Sequence, residues 1–186
     1  MSINYFGKYF NKQEFNFPAL IHDDFFEPIK LLFQNKHYVS ASKLLMIFID
    51  SIGYIEYGNV TENTFVKWLS SYADLSEVGV SAEELWEFRN SILHMSNLDS
   101  RKVQAGKVKR LMFYVGILPN DIEIDSDETK HYSLQELILA IANACGQWFN
   151  SYNLDRNKID AFVTRNDLIV SDNRMLWIDL TDKQNR

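Results

Sequence analysis

The chain has 186 residues and a formal net charge of −6, long enough for one sizeable domain, or one domain with an extension. With 46% hydrophobic and 14% aromatic residues a packed core is feasible, which excludes global disorder, and the acidic balance argues against tight, general nucleic-acid binding. The single cysteine, Cys145, excludes an internal disulfide and a Cys-rich zinc site; with only 7 Gly and 3 Pro, long regular elements are favoured over a turn-rich sandwich.

Residues 1–20 are aromatic-rich without a clear period and read as an extended arm packing on the body. The opening MSINYFGKYF lacks a basic region followed by an apolar segment, so no signal peptide is expected. A first helix is predicted over His22–Lys36, capped by Asp23 or Asp24, with Pro28 in or near its first turn. Tyr38–Tyr57 is the most apolar predicted helix. Leu44 to Ile49 leaves no polar face at its middle, which marks a central helix or one shared with a second copy. That apolar run is far short of a bilayer span, so the expectation is a cytoplasmic protein with no membrane partner. Asp50 interrupts the run, and a buried aspartate calls for a partner.

A third helix is predicted over Thr61–Asp74, with Phe65, Trp68, Leu69 and Tyr72 as its stripe. Ser81 followed by Glu84 is a capping box that opens the segment Ser81–Ser100, read as one amphipathic helix. The alternation from Val108 to Val115 predicts a strand, and Pro119–Tyr132 a polar acidic loop. Ser133 with Glu136 opens a long helix through Trp148, with Cys145 an inert buried thiol within it. Asp155–Thr164 reads as a further helical turn or two. Leu168–Val170 and Met175–Leu180 read as short strands, and the last six residues as frayed. No repeat, low-complexity tract or Pro/Ser-rich linker divides the chain. Residues 1–186 therefore read as a single domain, with a helical core over about 22–100 and a strand/helix extension over about 108–180.

Charge is segregated along the chain. Arg89–Arg110 holds six cations (Arg89, Arg101, Lys102, Lys107, Lys109 and Arg110) against one acid, Asp99. Pro119–Glu136 holds six acids against one cation, Lys130. A local basic patch can engage a polyanion on an acidic protein, which makes Arg101, Lys102, Lys107, Lys109 and Arg110 candidate RNA contacts; the alternative is a solvated charged surface.

The helix from Ser81 carries the chemistry. Arg89 is a permanent planar cation suited to phosphate oxygens, and His94 supplies an imidazole, a group that can take or give a proton. Together they provide what RNA self-cleavage requires: a base for the 2′-hydroxyl and a cation for the phosphoryl charge, without a metal or other cofactor. At about 100° per residue, Asn90 and His94 lie roughly 40° apart, whereas Arg89 and His94 lie roughly 140° apart. Arg89 falls at the edge of the apolar arc of Leu85, Phe88 and Ile92, and Asp50 is the expected partner that orients it. The offset of about 140° reads as half a site in each chain, to be completed by a second copy. His22, His37 and His131 are scattered without a second ligand at metal spacing. The acidic DIEIDSDE lacks the glycine and terminal glutamate of a calcium loop.

An arginine followed by a polar residue, with histidine four positions further, in the last helix of a helical bundle resembles the HEPN superfamily. Arg89, Asn90 and His94 carry that motif, preceded by ASKLLMIFIDSIGYI, FVKWLSSY and LWEFRNSILH; the resemblance covers about residues 22–117. It implies a mainly α, HEPN-like helical bundle, here with a small β-hairpin or short strands after the motif helix. It also implies a homodimer with two motifs facing one cleft and metal-independent endoribonuclease activity that leaves a 2′,3′-cyclic phosphate and a 5′-hydroxyl. In that reading His94 is the general acid/base, Arg89 holds the scissile phosphate and Asn90 assists. Such proteins often act as toxins, paired with an antitoxin protein, or in phage defence. Others are non-catalytic modules that bind RNA or dimerise, and that alternative stays open, as does a helical adaptor in which the triplet is incidental.

Overall fold

A computed structural model describes residues 21–94 and 100–169. A π-helical turn, His22–Phe26, runs into α1, Glu27–Gln34. It is followed by α2 (Tyr38–Tyr57), α3 (Thr64–Tyr72), α4 (Ala82–His94), the short α5 (Arg101–Gln104), β1 (Arg110–Tyr114), β2 (Thr129–Ser133), α6 (Leu134–Leu154) and α7 (Lys158–Ile169). The fold is mainly α, with one small two-stranded sheet among the described residues.

The central helix is α2. Ala41, Leu45, Met46, Phe48, Ile49, Ile52 and Ile55 are buried along it, and α1, α3, α4 and α7 pack around it. By length and composition alone Tyr38–Tyr57 could cross a membrane, yet half of its apolar window is buried inside the protein. Gly53 is where α3 comes nearest. A Cβ there would lie 2.7 Å from the carbonyl oxygen of Thr64, so the missing side chain lets the start of α3 sit on the α2 backbone. Gly58, at φ 68°, ends α2 and donates its N–H to Tyr54 O. Beyond α2, Trp68 of α3 meets Trp148 of α6 edge to face, at 5.9 Å between ring centroids, and Phe162 of α7 closes on Trp148. Burial pushes the Cys145 thiol well above its usual range, so it is an inert core group.

Several boundaries differ from the sequence reading. Ile21 is already helical in φ/ψ, so Asp23 and Asp24 lie inside the first turn and no side chain caps it. Asn63 caps α3 by accepting the Val66 N–H at 3.2 Å, which moves its start to Thr64. The motif helix is described to His94. Ser100 caps α5, accepting the Val103 N–H. The sheet is not a hairpin: β1 and β2 run parallel, Arg110 opposite Thr129 and Tyr114 opposite Ser133. Part of the expected acidic loop is therefore strand. The connecting residues turn back because Lys109 Nζ donates to Asp125 Oδ1 at 2.8 Å and the His131 N–H donates to Ile124 O, giving the crossover that parallel strands need. Leu168 and Ile169 are helical, not extended. The expected arm over 1–20, the strand over Met175–Leu180 and the frayed last six residues lie outside the described residues.

Candidate active site at the Arg89 helix

The reciprocal capping box fixes the start of α4. The Glu84 N–H donates to Ser81 Oγ at 3.1 Å, and the Ser81 N–H donates to Glu84 Oε2 at 2.7 Å. Lys130 of β2 donates to both oxygens of Glu84, at 3.0 and 3.1 Å, tying the sheet to the helix start. On the buried side, Leu85, Phe88 and Ile92 enter the core. Glu87, nearly buried, accepts from Lys102 Nζ at 2.7 Å and from Ser100 Oγ at 3.3 Å, which anchors α5 against α4. The helix is thus held at its start by β2 and further along by α5, with its apolar side in the core.

Arg89 is the hub of the site. Nη2 donates to Asp50 Oδ2 on α2 at 2.5 Å. Nη1 lies 3.2 Å from Asn90 Oδ1 and 3.1 Å from His94 Nε2. The guanidinium carbon stands 5.0 Å from the centre of the Trp86 ring, which itself packs on Phe65. The Arg89 side chain is 17% exposed and that of Asp50 35%; His94 is exposed. A cation is therefore held at the protein surface by a carboxylate on one edge and an indole face alongside, with an imidazole at its other end.

This arrangement removes the angular argument for a half-site. The backbone positions of Arg89 and His94 do point to different sides of α4, but the arginine side chain is long enough to lie back along the helix, so its tip meets His94 within one chain. Asp50, Arg89, Asn90 and His94 form one hydrogen-bonded line. Completion by a second copy no longer follows from geometry.

The basic stretch is placed differently from the patch that its composition drew. Lys102 is paired with Glu87, and Lys109 with Asp125; hydrogen bonding to Asp125 holds the Lys109 ammonium above its usual range. The acidic segment meets the basic one at Lys109 and Asp125, so part of the two linear charge blocks is paired locally. Arg101 and Lys107 are exposed, and Arg110 is half-buried in β1.

Two features escaped the sequence reading. Trp86 flanks Arg89, and its signal was its position three residues before the arginine, one helical turn away. Glu56, on the same helix as Asp50, accepts from Tyr72 Oη at 2.8 Å, Trp148 Nε1 at 2.8 Å, Tyr152 Oη at 3.2 Å and Lys158 Nζ at 2.5 Å. Burial pushes its carboxyl up, but the hydrogen bonds of Lys158, Trp148 and Tyr72, with the charge of Lys158, outweigh that and hold it below the usual range. It is an acid in a mostly buried helix, the same signal that marked Asp50. Among the described residues no three His, Cys, Asp or Glu side chains converge as a metal's ligands would.

No family model, curated protein or solved structure matches the chain. The functional reading therefore stands on these residues and their geometry.

Proposed function

We propose that the chain is a HEPN-type endoribonuclease that uses Arg89 and His94. One observation carries the reading: Asp50, Arg89 and His94 lie in one hydrogen-bonded line at the protein surface, with a carboxylate holding the cation and the cation reaching the imidazole. In the reaction, His94 takes the proton of a ribose 2′-hydroxyl. O2′ bonds to the adjacent phosphorus, the P–O5′ bond breaks, and the 5′ oxygen leaves with a proton from water or from a second copy. The products are a 2′,3′-cyclic phosphate and a 5′-hydroxyl. Arg89 faces the charge that gathers on the phosphoryl oxygens, and Asn90 helps to position it. The step needs no metal. A homodimeric, cytoplasmic toxin or phage-defence effector with an antitoxin partner is the biological setting that the family resemblance favours.

The second reading is a HEPN-like module that binds RNA or dimerises without cutting. The pairing of Lys102 and Lys109 with carboxylates favours its dimerising form, because cations already paired offer less to an RNA backbone. Purified protein incubated with mixed RNA in EDTA, wild type beside His94→Ala, separates the two. Cleavage by wild type alone, with cyclic-phosphate ends, is the expected result. RNA binding without cleavage selects the second reading, and a monomeric protein that neither binds nor cleaves RNA refutes both.

A further inference from the structure

Arginine carries only donors. With Arg89 Nη1 at 3.1 Å from His94 Nε2, Nε2 is the acceptor, and the neutral ring holds its proton on Nδ1. In this arrangement the lone pair on Nε2 is already engaged. The two Nη1 hydrogens are shared between Asn90 Oδ1 and His94 Nε2, while Nη2 stays on Asp50 and the guanidinium stays beside Trp86.

We propose that Arg89 caps His94 in the resting site, and that a phosphodiester uncaps it. The proposal rests on the ribonuclease reading and adds its regulation. A phosphodiester oxygen is a charged acceptor, so its bond to a guanidinium is charge-assisted from both sides and can be bidentate, whereas Asn90 and neutral His94 meet the cation with neutral acceptors. Phosphate arriving at Arg89 therefore draws Nη1 away from both Asn90 and His94. Asp50 and Trp86 keep the guanidinium from leaving the site, so a small displacement of its Nη1 edge is enough. Nε2 becomes available as a base only once the phosphate next to the reacting hydroxyl is in place. Trp86 is thus a positioning residue, acting through Arg89.

The test is long-range ¹H–¹⁵N correlation NMR of the histidine rings in the full chain, with His94 assigned by the loss of its signals in His94→Ala. The probe is a 2′-O-methyl RNA oligonucleotide, which carries phosphodiesters but no 2′-hydroxyl nucleophile. In the free protein His94 is expected as the Nδ1–H tautomer with a hydrogen-bonded Nε2. Saturating probe is expected to move Nε2 towards the range of an unbonded ring nitrogen. Trp86→Ala is expected to loosen the cap already in the free protein, moving Nε2 part of the way, whereas Trp86→Phe restores it. An Nε2–H tautomer in the free wild-type protein overturns the proposal, as does a His94 spectrum unchanged at saturating probe. Neither spectrum depends on RNA being cut. An Nε2–H tautomer in a protein that cleaves RNA overturns the cap and leaves the nuclease, whereas a cap released by the probe in a protein that cleaves nothing supports the cap and overturns the nuclease.

Discussion

Arg89 of α4 and Asp50 of α2 meet through Nη2 and Oδ2 at 2.5 Å, although they are 39 positions apart in the chain. Asp50 lies on the central helix and Arg89 on the motif helix, so the pair couples the site to the core. Asp50→Asn keeps the shape and removes the charge. Because Asp50 is about a third exposed, solvent discounts the loss, and the expected cost is about 1 kcal/mol in urea unfolding. RNA cleavage is expected to fall about tenfold, equivalent to about 1.4 kcal/mol of misplaced transition-state contact, chiefly in kcat. Unchanged stability and cleavage would remove Asp50 from the site.

Trp86 offers its ring to Arg89 and packs on Phe65. Trp86→Ala loses both contacts, and we expect a cost of about 2 kcal/mol. Trp86→Phe keeps an aromatic face and should cost about 1 kcal/mol or less. Urea midpoints check the order, and a Phe variant as damaged as the Ala variant would count against the ring–cation contact.

Glu56 is the control away from the site. Glu56→Gln leaves the Lys158 ammonium without its counter-charge in a largely buried network, at an expected cost of about 2–3 kcal/mol, with RNA cleavage per folded molecule unchanged. The pH dependence follows from the sign of its shift. A carboxyl held below its usual range in the fold contributes stability that is fully present above the unfolded-state pKa, at about 4.3. That contribution is lost as pH falls through the folded value. Wild type should therefore lose its advantage over Glu56→Gln on acidification below about pH 4, as read from urea midpoints between neutral and acid pH. A gap between the two that stays constant with pH would contradict this sign.

Gly53 sets the spacing of α2 and α3. With Thr64 O at 2.7 Å and Thr64 C at 2.9 Å from an added Cβ, Gly53→Ala forces backbone against backbone. About 2 kcal/mol of destabilisation is expected, even though alanine is the better helix former. A thermal midpoint equal to wild type would show that the two helices can part freely.

The helices were legible where the signals are local. Ser81 with Glu84 and Ser133 with Glu136 mark helix starts because the capping partner is only three residues away. Asp50 stood out because a charge in an apolar run needs a partner. The parallel pairing of β1 with β2 was not legible, since Arg110 and Thr129 meet through a connection whose path depends on side chains such as Lys109 and Asp125. The partners of the basic stretch were not legible for a related reason: composition counts charges along the chain, whereas the fold brings Glu87 to Lys102 and Asp125 to Lys109.

By itself the sequence determined a mainly α chain with a central apolar helix, and one amphipathic helix bearing Arg89, Asn90 and His94 with Asp50 as the arginine's expected partner. Periodicity and capping are short-range properties, and they survive without knowledge of the packing. Only the tertiary structure decided that Arg89 and His94 meet within one chain. Helical angles describe where Cβ atoms point. Where a guanidinium comes to rest, several bonds further out, depends on Asp50 from another helix and on Trp86 beside it. Together they let the arginine tip lie back against His94.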